Sequence, residues 1–369
     1  FPSVDFSGRY QYRINKYDLD FGPGMSVEMD HNTYSLGATV SQPIYAGGQI
    51  YNNYKAAQVQ GKITEQAEEL TTDNIVYSAD LNYWTAAARK GMYDVMCQYV
   101  DIVGELANVL TIRFNDGQIS KTDLLQVESR LKEAELNKSS AYKEYQIALQ
   151  NLNSLMGVSP LDPIEVEDSI TTYLALPLQV GEDVALRNRP DYAISELNIE
   201  YQKRQINLSK AKYNPSLAIG FQGTWGTPML NVKGSDQLWT PAVFASLKIP
   251  LFRWGARFKE VNSQKAILRS KEYALDNTRD KIAQEVANAW TSLTEYTKQI
   301  TVAEEACKIA EENLDLNTFS YNEGKLPILD VLSAQLSWIQ SYSSLIQTWY
   351  QQKASLAQYN KAIGIRRLQ

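Results

Sequence analysis

Two aspartates stand 207 residues apart in matching surroundings, Asp123 and Asp330 (330 − 123 = 207). Each follows a turn of Asn, an acid and Gly: Asn115-Asp116-Gly117-Gln118 before the first, Asn322-Glu323-Gly324-Lys325 before the second. A carboxylate at the start of a helix does electrostatic work. It can take free backbone N–H groups and complement the positive end of the helix dipole. Ser120-Lys121-Thr122-Asp123 has the capping-box spacing that such a role needs. Asp330 has Pro327 in register with that serine, and proline supplies no capping hydroxyl, while a first-turn dipole role remains open to it.

Catalytic chemistry is poorly supplied. The single histidine, His31, falls in a loop between predicted strands, and no Ser/His/Asp, paired-carboxylate or phosphate-cradling pattern has a recognisable context. Gly22-Pro23-Gly24 and Gly47-Gly48 read as turns. Cys97 and Cys307 lie 210 apart (307 − 97 = 210), out of step with the aspartates, and read as isolated buried thiols rather than a disulfide or metal framework. Neither an enzyme nor a cofactor or metal site is expected. A net charge of −6 also argues against nucleic acid as a partner, which needs a basic face.

The elements that carry the aspartates repeat at the same offset. Pro43-Ile44-Tyr45-Ala46-Gly47-Gly48 answers Pro250-Leu251-Phe252-Arg253-Trp254-Gly255 (250 − 43 = 207), and Met156-Gly157-Val158 answers Ile363-Gly364-Ile365. Register held over so long a stretch without insertion is what packed helices impose, so the chain reads as two copies of one architectural half. With 369 residues, 44% apolar and 21% charged, it is not disordered. No window approaches the roughly 18 to 20 consecutive apolar residues of a membrane helix, so a membrane span must be made of strands.

Strands are what each copy begins with. Tyr34, Leu36, Ala38 and Val40 alternate with Ser35, Gly37, Thr39 and Ser41, and Val4, Phe6, Tyr10 and Tyr12 share that parity. Leu217, Ile219, Phe221 and Trp225, then Val243, Ala245, Leu247 and Ile249, repeat the pattern in the second copy. Period 2 with small or polar residues between, and Tyr and Trp toward the strand ends, suits a barrel with lipid outside and water inside. Polar loops are expected at about 17–33 and 226–238. Four strands cannot close a barrel, since about eight is the smallest workable number, so strands must be pooled with other copies.

The rest reads as helix. No proline occurs from Ile44 to Ser159 or from Leu251 to Leu326, and the 67 or so residues from Gly48 to Asn115 would form a rod on the order of 100 Å long. After Gly117 a second helix, Ser120 to Leu155, returns. Residues 158–189, with Pro160, Pro163 and Pro177, form an irregular connector, and Pro190 opens a helix to about Tyr213. By the repeat a similar helix should precede Phe1. The absence of an initial Met and signal peptide likewise suggests a processed or trimmed form.

Gln42-Pro43-Ile44-Tyr45-Ala46-Gly47-Gly48 resembles the strand-to-helix junction of the TolC family of outer membrane efflux proteins, with Pro250 and Gly255 marking its second occurrence. Arg113 through Leu125 and Ser320 through Ala334 are similar to that family's two periplasmic hairpin tips. The likeness covers nearly the whole chain. It implies a mixed α/β membrane protein: a homotrimer in which four strands per protomer build a β-barrel above an α-helical barrel, with an internal two-fold sequence repeat. The corresponding segments are 1–45 (first strand pair), 46–157 (first helical hairpin), 158–189 (equatorial connector), 190–213 (linking helix), 214–252 (second strand pair) and 253–369 (second helical hairpin).

The resemblance also implies an exit duct in the outer membrane of a Gram-negative bacterium, extending into the periplasm and engaged by a periplasmic adaptor (membrane fusion) protein and an inner membrane pump. Asp330 would line the periplasmic entrance, with Ser333 where the best known member has a second pore aspartate. Tyr321, Asp123 and the adjoining Thr122 would help to hold the entrance closed, although Leu326 replaces an arginine of that latch. The adaptor would dock on Asn115, Asp116, Gly117 and Gln118 and on Asn322, Glu323, Gly324 and Lys325. The rival reading is a soluble coiled-coil scaffold, for which long proline-free helices are the usual material. A duct wall specifies no cargo, so drugs, metal ions, polysaccharide and secreted protein are all compatible with it.

Overall fold

The computed structural model describes residues 2–15, 18–20, 22, 26–227, 232 and 236–365. In chain order the elements are β1 (Ser3–Tyr12), β2 (Asp18–Asp20), β3 (Ser26–Glu28), β4 (Asn32–Ala46), α1 (Gln49–Asn115), α2 (Lys121–Met156), α3 (Glu182–Asn188), α4 (Pro190–Ala211), β5 (Ser216–Gly226), β6 (Leu238–Lys248), α5 (Ala256–Asn322) and α6 (Ile328–Ala362). They form two units, residues 1–63 with 196–274 and residues 64–195 with 275–369.

The first unit holds a four-stranded antiparallel sheet in the order β1-β4-β5-β6. Directly paired residues share a face, so the register decides what each face is made of. Val4 pairs with Val40, Val40 with Phe221, and Phe221 with Val243; two steps along, Leu36 pairs with Trp225 and Trp225 with Trp239. The alternate rows run Asp5–Thr39–Gln222–Ala242 and Ser7–Gly37–Thr224–Thr240. One face is therefore apolar across all four strands and the other largely polar, with Phe244 and Leu238 the large exceptions. Among the described residues nothing is packed on the apolar face: Val4, Phe6, Val243 and Leu247 are exposed.

Two departures from the sequence expectations lie in this unit. The expected 17–33 loop contains a short β2–β3 hairpin, and Met29 bridges Val232. Strand β4 runs on through Pro43 to Ala46, with a bulge between Pro43 and Tyr45. Proline has no N–H to give the ladder, so a bulge is the usual accommodation. The extra residue, Ile44, brings Tyr45 opposite Leu217 and so onto the apolar face. His31 lies just before β4, its Nδ1 2.8 Å from the Arg13 carbonyl and its ring stacked on Tyr12.

The second unit is helical. Its main core gathers Val95, Val103 and Leu110 of α1, Val127 and Ala134 of α2, Leu314 of α5, and Val331 and Trp338 of α6. An 18-residue stretch of α1 reaches a mean hydropathy of 1.3, higher than the sequence reading allowed for a helix. A third of that stretch (33%) is buried within the protein. A smaller cluster joins Ala185 to Ile282, Leu293 and Tyr359. Of the two cysteines Cys307 is buried and Cys97 only half-buried; both are free.

The connector departs from the irregular belt expected at 158–189, because Gly181 starts α3, whose first turn carries Glu182 and Asp183. Those acids favour a helix N-terminus, and no proline follows until 190. Side chains from α1, α2 and α6 strap the connector by its backbone: Lys90 Nζ donates to the Val166 carbonyl at 2.8 Å, Asn153 Nδ2 to that of Asp162 at 2.8 Å, and Lys353 Nζ to that of Thr172.

Candidate functional site

The helix tips are built by backbone geometry first. Gly117 (φ 74°) and Gly324 (φ 72°) are left-handed. At each, two N–H groups turn back onto the last helical carbonyls: Gly117 to Phe114 at 2.9 Å and Gln118 to Arg113 at 2.8 Å, then Gly324 to Tyr321 and Lys325 to Ser320, both at 2.9 Å. This pairing closes a helix through a left-handed residue. It leaves Asn115, Asp116, Gln118, Asn322, Glu323 and Lys325 exposed.

Three tip residues are drawn together across the ends of α1 and α5. Arg113 lies with its guanidinium 5.4 Å from the Tyr321 ring centroid and donates to Asn322 Oδ1 at 3.2 Å. Tyr321 is 8% exposed and belongs to the main core. The sequence motif around Arg113 carries no sign of this partner, because the contact joins residues with no local relation.

The carboxylates sit differently from each other. Ser120 caps α2 by accepting from Asp123 N at 3.1 Å, and its hydroxyl donates to Asp123 Oδ2 at 2.9 Å. The expected capping box is thus altered, since the Asp123 carboxylate takes the serine hydroxyl rather than completing the cap through the Ser120 N–H. Pro327 caps α6 without a side-chain bond, and Asp330 N donates to the Pro327 carbonyl at 3.1 Å. Asp330 and Ser333 are exposed on one side of α6 while Val331 and Leu332 are buried; Thr122 is exposed and Leu326 half-buried.

At the strand-to-helix junctions the turns after β4 and before α5 use Gly47 (φ 62°), Gly48 (φ 90°) and Gly255 (φ 73°), together with Trp254 (φ 45°). A side chain at Gly47 would put its Cβ 2.7 Å from the Ala211 carbonyl oxygen and from Asn214 Cβ. Asn214 Nδ2 donates to the Gly47 carbonyl at 2.9 Å. Pro43 lies within β4 and Pro250 just after β6. Near the start of α5, Lys212 and Tyr213 both donate to Glu260, at 2.6 and 2.8 Å, and hold its carboxyl below the usual range.

No sequence pattern marks Lys353. Its side chain is 1% exposed, between the indole faces of Trp84 (4.9 Å) and Trp349 (5.2 Å), on the wall of a cavity of about 590 Å³. Burial lowers its amine to about 8 against the pull of Asp168.

A sheet with one apolar, uncovered face, joined to long helical hairpins with acidic turns at their ends, has the parts of a membrane duct. Comparison with known proteins agrees. The family model for the outer membrane efflux protein matches residues 1–158 and 183–365, and the chain belongs to that family. It is a protein of the outer membrane, and its relatives are channels rather than enzymes. Nodulation protein T of Rhizobium leguminosarum bv. trifolii is 25% identical over 260 residues, covering 68% of this chain and 55% of that protein. Outer membrane efflux protein BepC of Brucella suis biovar 1 is 20% identical over 327 residues, 88% of this chain and 71% of that protein. Among solved structures, the Campylobacter jejuni CmeC outer membrane channel superposes with a TM-score of 0.77 at 18% identity, covering 99% of this chain and 78% of that one. The chain thus spans little more than half the length of the first of these relatives.

Proposed function

We propose that the protein is the outer membrane exit duct of a tripartite efflux or type I secretion system, passing substrates from a periplasmic adaptor and an inner membrane pump to the outside. The observation that carries this reading is the two-faced sheet with β1 and β6 as open edges. An apolar face without cover and two unpaired edges call for lipid and for neighbouring strands. A homotrimer would supply twelve strands, with β6 of one copy beside β1 of the next.

Further support comes from the helices. Helices α1 and α5 both have 67 residues and start 207 apart (256 − 49 = 207), as a duplicated unit would require. Val302, Ile309 and Leu316 of α5 repeat every seven residues and are exposed, a stripe suited to a neighbouring helix. In this reading 1–45 and 214–252 are the membrane segments, 46–157 and 253–369 the periplasmic hairpins, 158–189 the equatorial connector and 190–213 the linking helix. Asp330 forms one acidic ring at the entrance, beside Ser333, Thr122, Asp123 and Tyr321. The exposed turns at 115–118 and 322–325 receive the adaptor.

The test is sizing in detergent by multi-angle light scattering, which should give three copies per particle. A monodisperse monomer would overturn the trimer, and extraction into buffer without detergent would favour the coiled-coil scaffold.

A further inference from the structure

The second strand-to-helix junction keeps a strained tryptophan where the first keeps a glycine. Gly47 and Trp254 take the same step of their turns (254 − 47 = 207), both left-handed, and each precedes a left-handed glycine. Among the described residues Trp254 is the one non-glycine with positive φ, a conformation that crowds Cβ against the backbone. Glycine makes the turn without strain, so the turn does not account for the indole. Nor does packing within the chain. Trp254 is 88% exposed and its ring partner among the described residues is Phe252, edge-on at 5.1 Å between centroids, while Phe252 and Leu251 are themselves 71% and 89% exposed. A cluster this apolar needs an apolar surrounding, and Leu247 and Ile249 carry the uncovered sheet face directly into it.

Charge identifies the layer of the bilayer. Arg253, Arg257 and Lys259 border these aromatics in sequence and are exposed, Arg253 lying 5.8 Å from the Tyr213 ring centroid, and the first turn of α5 contains no acid. Glu260 is already taken by Lys212 and Tyr213. Cations near a helix N-terminus are repelled by its dipole and gain from an external anion. Indole beside cations, at the edge of an apolar face, is the chemistry of the phosphate layer of a membrane.

We propose that residues 251–259 form a headgroup site for anionic phospholipid in the periplasmic leaflet, with Trp254 as the interfacial anchor and Arg253, Arg257 and Lys259 facing the phosphate. The site rests on the exit-duct reading, which turns the apolar sheet face to lipid.

The experiment uses the whole protein in vesicles of phosphatidylcholine and phosphatidylglycerol brominated either near the headgroup or near the chain end, bromine quenching indole on contact. The Trp254 signal is the difference between wild type and Trp254→Phe, with Trp254→Gly, which relieves the strain, as the second variant. The site requires stronger quenching by shallow than by deep bromine, and more when bromine is confined to phosphatidylglycerol than to phosphatidylcholine. Arg257→Gln with Lys259→Gln should abolish that lipid preference; an unchanged preference rejects the charged part. Quenching by deep bromine alone rejects the site. So does a signal shielded from both bromine and aqueous iodide, which would place a neighbouring copy over Trp254. Val243→Trp, on the 83% exposed middle of the sheet face, reads the duct separately. If it is quenched by deep bromine while Trp254 is not quenched, the headgroup site fails and the duct stands; if neither is quenched, both fail.

Discussion

Arg113 covers the ring of Tyr321 at 5.4 Å and holds Asn322 at 3.2 Å, so one guanidinium ties the end of α1 to the end of α5. Where the resemblance implies a latch arginine the chain has Leu326, and Arg113 offers a different cation for holding the tips. A contact of this kind at a half-exposed site contributes about 0.5–1 kcal/mol. Arg113→Ala should therefore leave assembly intact, lower thermal stability slightly and raise conductance in planar bilayers. Conductance equal to wild type would make the contact purely structural.

Asp330 is expected to set cation preference at the entrance. Three like charges around a narrow mouth attract cations and repel anions. Asp330→Asn keeps size and hydrogen bonding while removing the charge. The variant should lose cation selectivity and sensitivity to multivalent cations. If both persist and only stability falls, by about 0.5–1 kcal/mol for a lost helix-dipole interaction, the residue serves its own helix.

The glycine turns should separate docking from folding. No atom lies within 4 Å of a Cβ built on Gly117 or Gly324, yet both are left-handed. A bulky residue would fit in space but strain the backbone by about 1–2 kcal/mol. Gly117→Val or Gly324→Val should still yield trimers of normal size while abolishing export in cells. Normal export would place the adaptor elsewhere.

Lys353 should give stability an alkaline signature. Below about 8 the amine is charged in both folded and unfolded chains, and the full cost of burying it is present. Between about 8 and the ordinary lysine value of 10.5 the unfolded chain holds a proton that the folded chain has lost, so stability rises with pH across that window. The neutral amine can still donate to the Thr172 carbonyl. Lys353→Met lacks this term, so wild type should gain on the variant as pH climbs from 8 to 10 in thermal unfolding. Parallel profiles would show that the amine is not titrating there.

The amino acids by themselves determined what is local. Period-2 runs marked the strands of the sheet, proline-free stretches the four long helices, and Asn-acid-Gly the turns, because each pattern acts on a residue's own backbone within a few positions. The tip residues were legible for the same reason. What only the tertiary structure decided is which distant residues meet. The register that lines Val4, Val40, Phe221 and Val243 on one face pairs β4 with β5 across at least 170 positions of sequence (216 − 46 = 170). The same holds for Arg113 on Tyr321, 208 residues on (321 − 113 = 208), and for Lys353 between two indoles. Trp254 resembles an ordinary turn residue in sequence; its left-handed backbone and its exposure emerge only once β6 and α5 are placed. Such contacts leave no periodic trace, since they arise from packing between elements rather than from the propensities within them.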